Sequence, residues 1–130
     1  MANPAVAEWL SLAERDLEAA RVLSNLPNQR TNACFHAQQA AEKAMKALYA
    51  MGGLIPPRIH DLDVLRERLG DAHDLSEIAI ACAVLSMYAV DSRYPGAVVE
   101  EEEVGPALAF SEEVMKTVRR VIEAKQPEDT

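Results

Sequence analysis

The stretch from Ala33 to Ala50, ACFHAQQAAEKAMKALYA, carries the densest set of side chains that could do chemistry. At 100° per residue it divides into two sides of one helix. A histidine can transfer a proton and a lysine can hold a phosphate. The mixture favours a polar cleft or a helix interface, although Glu42 and Lys46 also have the i,i+4 spacing of an ordinary surface pair. The polar side comprises Phe35, His36, Gln38, Gln39, Glu42, Lys43, Lys46 and Tyr49, and the apolar side comprises Cys34, Ala37, Ala40, Ala41, Ala44, Met45, Ala47 and Leu48.

Asp16 lies inside the apolar stripe of an earlier helical pattern. A carboxylate in such a place is either paired or raised in pKa, because burial disfavours its charged form. Arg93, Lys43 and His36 are the candidate partners. We expect a salt bridge that fixes helix packing rather than a catalytic acid, although such a pair can also border a site. The stripe around it comprises Val6, Trp9, Ala13, Leu17, Ala20 and Leu23.

Arg93 and Tyr94 directly follow the most apolar segment of the chain. A cation just past a helix C-terminus is favoured by the helix dipole, and a guanidinium binds phosphate or carboxylate in a fork. Arg93 is therefore the best single anion-binding candidate, with Asp16 or Asp91 as its partner if its role is structural. The predicted phosphate-binding set is Arg93, Tyr94, His36, Gln39, Lys43 and Lys46.

The neighbouring pair His60 and Asp61 has two readings. Asp61 has the position of an N-cap with a histidine beside it, and a catalytic His-Asp couple is the alternative, although adjacent side chains rarely face each other usefully. We assign structural polar roles to Asp16, Glu42, His60 and Asp61. His73 precedes a second capping residue, and we expect it to be exposed.

The elements that must position these residues are five helices with glycine and proline in the connections. Asp61 caps the third helix, and Asp74 with Glu77 resembles a capping box that opens the fourth. The five are predicted from Pro4 to about Ser24, from Thr31 or Asn32 to Gly52, from Leu62 to Leu69, from Asp74 to about Val90, and from about Pro106 to Lys125.

The fourth helix, with IAIACAVLSMYAV, is apolar nearly all round, which predicts that it runs through the middle of the bundle. The fifth should follow an acidic run, Glu100 to Glu103, that lies near its positive N-terminal end or forms a solvated face or loop. Its predicted core residues are Phe110, Val114, Val118 and Val121. The fold class is therefore all-α, an up-and-down antiparallel bundle of about five helices.

The chain of 130 residues has a formal net charge of −8 and is long enough for one domain with a buried core. We expect that domain over residues 1–130, with a core at about 4–125 and a frayed tail at 126–130. The charge argues against a large nucleic-acid surface and leaves room for a small basic cleft. Cys34 and Cys82 are predicted to be buried thiols, and no spacing indicates a metal site or a cofactor. Without a signal peptide or an apolar span, a cytoplasmic location without membrane contact is expected.

Four segments taken together resemble the HEPN domain family (higher eukaryotes and prokaryotes nucleotide-binding domain). They are AERDLEAARVL, CFHAQQAAEKAMKALY, IHDLDVL and YAVDSRYPG, in this order, and the resemblance runs from about Trp9 to Gly96. It implies an all-α bundle that dimerises through helical faces. It also implies a partnership with a minimal nucleotidyltransferase, often as a toxin–antitoxin pair, and an association with a nucleotide or RNA.

Several members of that family are metal-independent ribonucleases with an Arg-x4-6-His motif. In this chain no histidine follows Arg93, and the literal match is RTNACFH, from Arg30 to His36. Arg30, His36 and Arg93 are thus candidate catalytic residues. The resemblance leads to a dimeric binding module as the first hypothesis and an endoribonuclease toxin as the alternative.

Overall fold

The computed structural model of the chain describes residues 3–70, 73–89 and 98–125. Every regular element in these ranges is helical, and the prediction of an all-α, antiparallel bundle of about five helices is confirmed. The boundaries of the single domain stay a prediction, and the tail at 126–130 lies outside the described residues. The helices are α1 (Pro4–Leu23), α2 (Arg30–Met51), α3 (Leu62–Leu69), α4 (Ala79–Ser86) and α5 (Glu101–Lys125).

Asn3 ties the start of α1 to the end of α2. Its side-chain oxygen accepts a hydrogen bond from the Ala5 amide at 2.9 Å, as an N-cap does, while its side-chain nitrogen donates to the Ala50 carbonyl at 3.1 Å. A short 3-10 turn, Pro27–Gln29, connects the two helices. One residue thus caps α1 and places it antiparallel to α2.

Glycine and aspartate define the ends of α2 and α3, as the sequence predicts. Gly53 follows α2 with φ of 74°, and Gly70 ends α3 with φ of 62°, conformations that residues with a Cβ rarely adopt. Asp61 caps α3 by accepting from the amides of Asp63 and Val64.

The capping box and the bounds predicted for the fourth helix are both wrong. Asp74 accepts from the Ser76 amide and hydroxyl, while Glu77 turns to Thr117 and Arg120 on α5 instead of closing a capping box. A 3-10 turn, Ser76–Ile78, therefore precedes the regular helix, which ends at Ser86.

The helix in the middle of the bundle is α2 rather than α4. Helix α2 packs against all four other helices, and its small residues let them approach closely. Helix α4 lies at the periphery, where Ile80 and Met87 are 71% and 57% exposed. Uniform hydrophobicity thus did not determine which helix becomes central.

Helix α5 begins five residues before the predicted start at Pro106. The Glu103 carboxylate accepts the Glu100 amide at 2.7 Å, which satisfies a backbone donor at the helix start, and three glutamates in the first turn face the positive end of the dipole. Pro106 inside the helix removes one backbone donor. The acidic run therefore lies at the N-terminal end of α5, where Glu100, Glu101 and Glu102 form a solvated face.

The core forms between the apolar side of α2 and the helices on either side. Val114 and Val118 are fully buried, Phe110 and Val121 are partly buried, and the Ser111 hydroxyl donates to the Ala37 carbonyl of α2 at 2.7 Å. Both cysteines are free and buried, as predicted. Burial raises the pKa of the Cys34 thiol to about 11 and that of Cys82 to about 12.

Candidate functional site

The polar side of α2 is mostly covered by neighbouring elements. Gln38, Glu42, Lys46 and Tyr49 are buried, whereas His36, Gln39 and Lys43 are half-buried. Helix α1 and the segment before α3 provide the cover, through hydrogen bonds and a ring contact. The polar groups therefore had to be paired within the protein, because an unpaired buried charge is costly.

The first group of paired side chains, which we call the Asp16 cluster, consists of Asp16, His36 and Lys43. Asp16 Oδ1 lies 2.9 Å from His36 Nδ1, and Asp16 Oδ2 accepts a hydrogen bond from Lys43 Nζ. The Asp16 side chain is nearly buried, while those of His36 and Lys43 are 33% and 26% exposed. Two of the three predicted partners of Asp16 are thus confirmed.

The second group, the Glu42 cluster, consists of Glu42, Lys46, His60 and Gln38. Glu42 Oε2 accepts from Lys46 Nζ at 3.1 Å, and Glu42 Oε1 lies 2.9 Å from His60 Nδ1 and 3.3 Å from Gln38 Nε2. The Glu42 and Lys46 side chains are 4% and 8% exposed, whereas His60 is 63% exposed. The predicted i,i+4 pair therefore exists, but it lies in the interior and not on a solvated face.

Gln38 ties the second cluster to the chain before α3. Its Nε2 donates to the His60 carbonyl at 2.9 Å, and its Oε1 accepts from Gln39 Nε2 at 2.7 Å. Helical spacing predicts that Gln38 lies on the polar side of α2, but nothing in that spacing indicates its contact with the loop. The Gln38 side chain can be buried without a large cost because both ends of its amide are paired.

The two carboxylates fix the tautomers of both neutral histidines. A carboxylate held by a lysine is ionised and can only accept, so the proton between it and the imidazole is on Nδ1. In its neutral form, each imidazole then has its lone pair on Nε2. Within the described part of the chain, Nε2 of His36 and of His60 has no protein partner. As far as the described residues go, the Nε2 atom of each histidine is thus open to a proton or a ligand.

Two further contacts cover the polar side of α2. Lys46 Nζ lies 5.8 Å from the centre of the Trp9 ring, so α1 supplies a cation–π contact to the buried ammonium. The Tyr49 hydroxyl donates to the Leu65 carbonyl of α3 at 2.7 Å, and burial raises the pKa of this phenol. Trp9 was predicted as a core residue, and its contact with Lys46 had no signal in the sequence.

The remaining candidate residues lie elsewhere. Arg30 pairs with Glu101 at the start of α5, with 3.8 Å between Nη2 and Oε2. Arg93, Tyr94 and Asp91 lie outside the described residues. The phosphate-binding role of Arg93 and Tyr94, and the pairing of Arg93 with Asp91, therefore stay predictions.

His73 was expected to be exposed, and this expectation is wrong. The side chain is half-buried and its Nδ1 has no hydrogen-bond partner among the described residues. Burial lowers its pKa, and the nearby Lys125 charge lowers it further. It lies in the segment before α4 and belongs to neither cluster.

A groove of about 560 Å³ between α1 and α5 is an alternative location for a ligand. Its cations are largely neutralised: Arg119 Nη2 lies 2.6 Å from Glu14 Oε1, and Arg21 Nε lies 3.7 Å from Glu112 Oε1. These exposed pairs leave little net positive charge for an anion. The candidate site is therefore the polar side of α2.

Residues 3–70, 73–89 and 98–125 offer neither a metal site nor a membrane-spanning helix. These ranges contain no group of three or more histidine, cysteine or acidic side chains that could hold a metal ion. None of their helices has both the length and the apolar composition that a bilayer span requires.

An antiparallel helical bundle whose central helix carries paired polar side chains defines the structural class of this chain. The sequence profile described as the HEPN domain matches residues 6–121. The chain belongs to the HEPN domain family.

Two crystal structures resemble the chain over nearly its whole length. The protein TT1696 from Thermus thermophilus is 29% identical, with a TM-score of 0.81, and the match covers 92% of this chain and 98% of that one. ST0689, described as an archaeal HEPN homologue, is also 29% identical, with a TM-score of 0.71 and coverage of 88% and 95%. Among curated proteins, none matches the chain.

Proposed function

We propose that this HEPN protein is a dimeric binding module for a nucleotide or an RNA segment and the partner of a nucleotidyltransferase in a toxin–antitoxin-like pair. The observation that supports it most directly is the Asp16 cluster. Its histidine and lysine are oriented by a nearly buried carboxylate and are still partly open to solvent. Groups held in this way can meet a ligand without first losing side-chain freedom.

The charge distribution of the chain also favours a small ligand over a long nucleic acid. The chain is strongly acidic, and the groove between α1 and α5 offers mostly paired cations. A short phosphate-containing ligand needs only a local site, in which His36, Gln39 and Lys43 would be joined by the predicted Arg93 and Tyr94.

Binding is tested by isothermal titration calorimetry with mononucleotides and short RNA. His36→Ala and Arg93→Ala should weaken binding at least tenfold, because each removes a group proposed to meet the phosphate. Arg119→Ala, in the groove between α1 and α5, is the matched control and should bind like the wild type. Equal losses in all three variants would indicate non-specific attraction and contradict the proposal.

The assembly is tested by size-exclusion chromatography with light scattering, alone and after co-expression with the nucleotidyltransferase encoded nearest to this chain. The expected species are a dimer and a larger complex with that enzyme. A strict monomer that does not bind the nucleotidyltransferase would refute both the proposed dimer and the proposed partnership.

The ribonuclease alternative predicts a different outcome. His36, held at Nδ1 by a carboxylate, has the orientation of a proton-transfer group. If the protein cleaves RNA in the presence of EDTA and His36→Ala abolishes that cleavage, the nuclease hypothesis would be favoured over the binding module. Intact RNA at high protein concentration would exclude the nuclease.

A further inference from the structure

The hydrogen-bonding groups of the Asp16 cluster limit what it can bind. His36 Nδ1 points at Asp16 Oδ1, 2.9 Å away, so the ring proton of neutral His36 is already used. The other ring nitrogen, Nε2, then carries a lone pair and can only accept. A phosphate oxygen also only accepts, so neutral His36 cannot hydrogen-bond a phosphate through Nε2.

The charge of the cluster leads to the same restriction. The Asp16 carboxylate and the Lys43 ammonium cancel, so with neutral His36 the cluster has no net charge. An anion gains little from a neutral site, because the attraction of the ammonium is offset by the repulsion of the carboxylate beside it. Protonation of His36 changes the net charge to +1 and makes Nε2 a donor at once.

The described cations closest to His36 in the sequence of α2 are already paired. Asp16 of α1 contacts both the His36 ring and Lys43. Glu42 and Lys46 neutralise each other, and Arg30 pairs with Glu101 of α5. Among the described residues of α3, α4 and α5, no charged side chain forms a hydrogen bond or an ion pair with the His36 ring.

We propose that a phosphodiester binds at the Asp16 cluster together with one proton, which His36 takes up at Nε2. This inference rests on the proposed function, since it concerns the same site. It specifies that the ligand is a phosphodiester and that the bound protein carries an extra proton on His36. The bound state pairs one phosphodiester oxygen with the Nε2–H of an imidazolium. The Nδ1–H of the same ring stays on Asp16, where the imidazolium makes a stronger, charge-assisted bond.

The sign of the pH dependence follows from this linkage. The hydrogen bond from Nε2 to the phosphate exists only with the protonated ring, so affinity is highest in mildly acidic solution and falls as the pH rises. Affinity should fall at least tenfold between pH 6 and pH 8, because fewer rings carry the proton that the bound state needs. At the alkaline end of this interval, each bound ligand should bring about one proton with it.

The experiment is calorimetry of the full chain with a diribonucleoside monophosphate, whose single phosphodiester does not titrate between pH 6 and pH 8. Titrations in two buffers with different ionisation enthalpies count the protons taken up. His36→Gln keeps a polar side chain but cannot be charged, and its affinity should be low and independent of pH. His73→Gln, which removes a histidine outside the cluster, should retain the full dependence.

Nitrogen-15 NMR of the wild-type histidines gives a second readout that does not depend on the variant folding. At pH 7.5 the ligand should shift His36 Nε2 to the position of a protonated nitrogen. Affinity that is equal at pH 6 and pH 8, with no proton uptake, would overturn the inference without contradicting the proposed binding function. A pH dependence that persists in His36→Gln would also overturn it. No binding at any pH would refute the proposed function itself.

Discussion

The two carboxylate clusters of α2 are made of the same three kinds of side chain and differ in which of them water can reach. In the Asp16 cluster the lysine and the histidine are both partly exposed. In the Glu42 cluster the lysine is almost inaccessible and the histidine is largely exposed. Each cluster thus has one carboxylate, one lysine and one histidine, the Glu42 cluster has Gln38 in addition, and the burial of the lysine separates the two.

This difference assigns the clusters different roles. A buried ammonium has no alternative to its carboxylate, so the Glu42 pair and the Trp9 ring over Lys46 hold the interior together. A half-exposed ammonium can exchange its carboxylate for water or for a ligand. We therefore treat the Glu42 cluster as structural and the Asp16 cluster as the site.

Loss of the Glu42 carboxylate should have the largest effect on stability. Glu42→Ala leaves the buried Lys46 charge without a partner and is expected to lower the free energy of unfolding by about 3–5 kcal/mol. Urea unfolding followed by circular dichroism measures this change.

The matched control replaces both charges. The double variant Glu42→Leu, Lys46→Met keeps the volume and removes the buried charge, so it should be within about 1 kcal/mol of the wild type or more stable. A double variant as unstable as Glu42→Ala would show that the lost hydrogen bonds of Glu42, rather than an unpaired Lys46 charge, lower the free energy of unfolding.

Loss of Asp16 should cost less, about 2 kcal/mol, because it removes two charge-assisted hydrogen bonds while Lys43 can turn to solvent. The same urea experiment on Asp16→Ala measures it. The order of the two variants is the decisive result: if Asp16→Ala were the less stable protein, the assignment of the structural role to Glu42 would be reversed.

The sequence predicted the partners of Asp16 because helical periodicity gives the angular position of every residue on a helix. Asp16 lies in an apolar stripe and His36 and Lys43 share one side of α2, so their meeting follows from packing α1 on that side. The same rule gave the Glu42–Lys46 pair. Periodicity cannot tell how deeply such a pair is buried, since that depends on what covers it.

The sequence failed where long-range packing overrode a local pattern. The apolar α4 was expected in the centre, but it is short, and the alanine-rich α2 allows closer contact with several helices at once. His60 was read beside its neighbour Asp61, whereas its ring reaches Glu42 through a loop whose path no local rule defines. Likewise, Glu103 starts α5 early because its carboxylate accepts the Glu100 amide.

The smallest effect is expected at His60, which tests whether the exposed histidine of the structural cluster matters for stability. His60→Gln removes one hydrogen bond to Glu42, while Lys46 and Gln38 still hold that carboxylate. The free energy of unfolding should therefore fall by about 0.5–1 kcal/mol. In amide hydrogen exchange, the backbone near His60 should become less protected and the amides of α2 should not change. A loss above about 2 kcal/mol would mean that the buried Glu42–Lys46 pair depends on its exposed partner, and the contrast between a buried and an open cluster would then disappear.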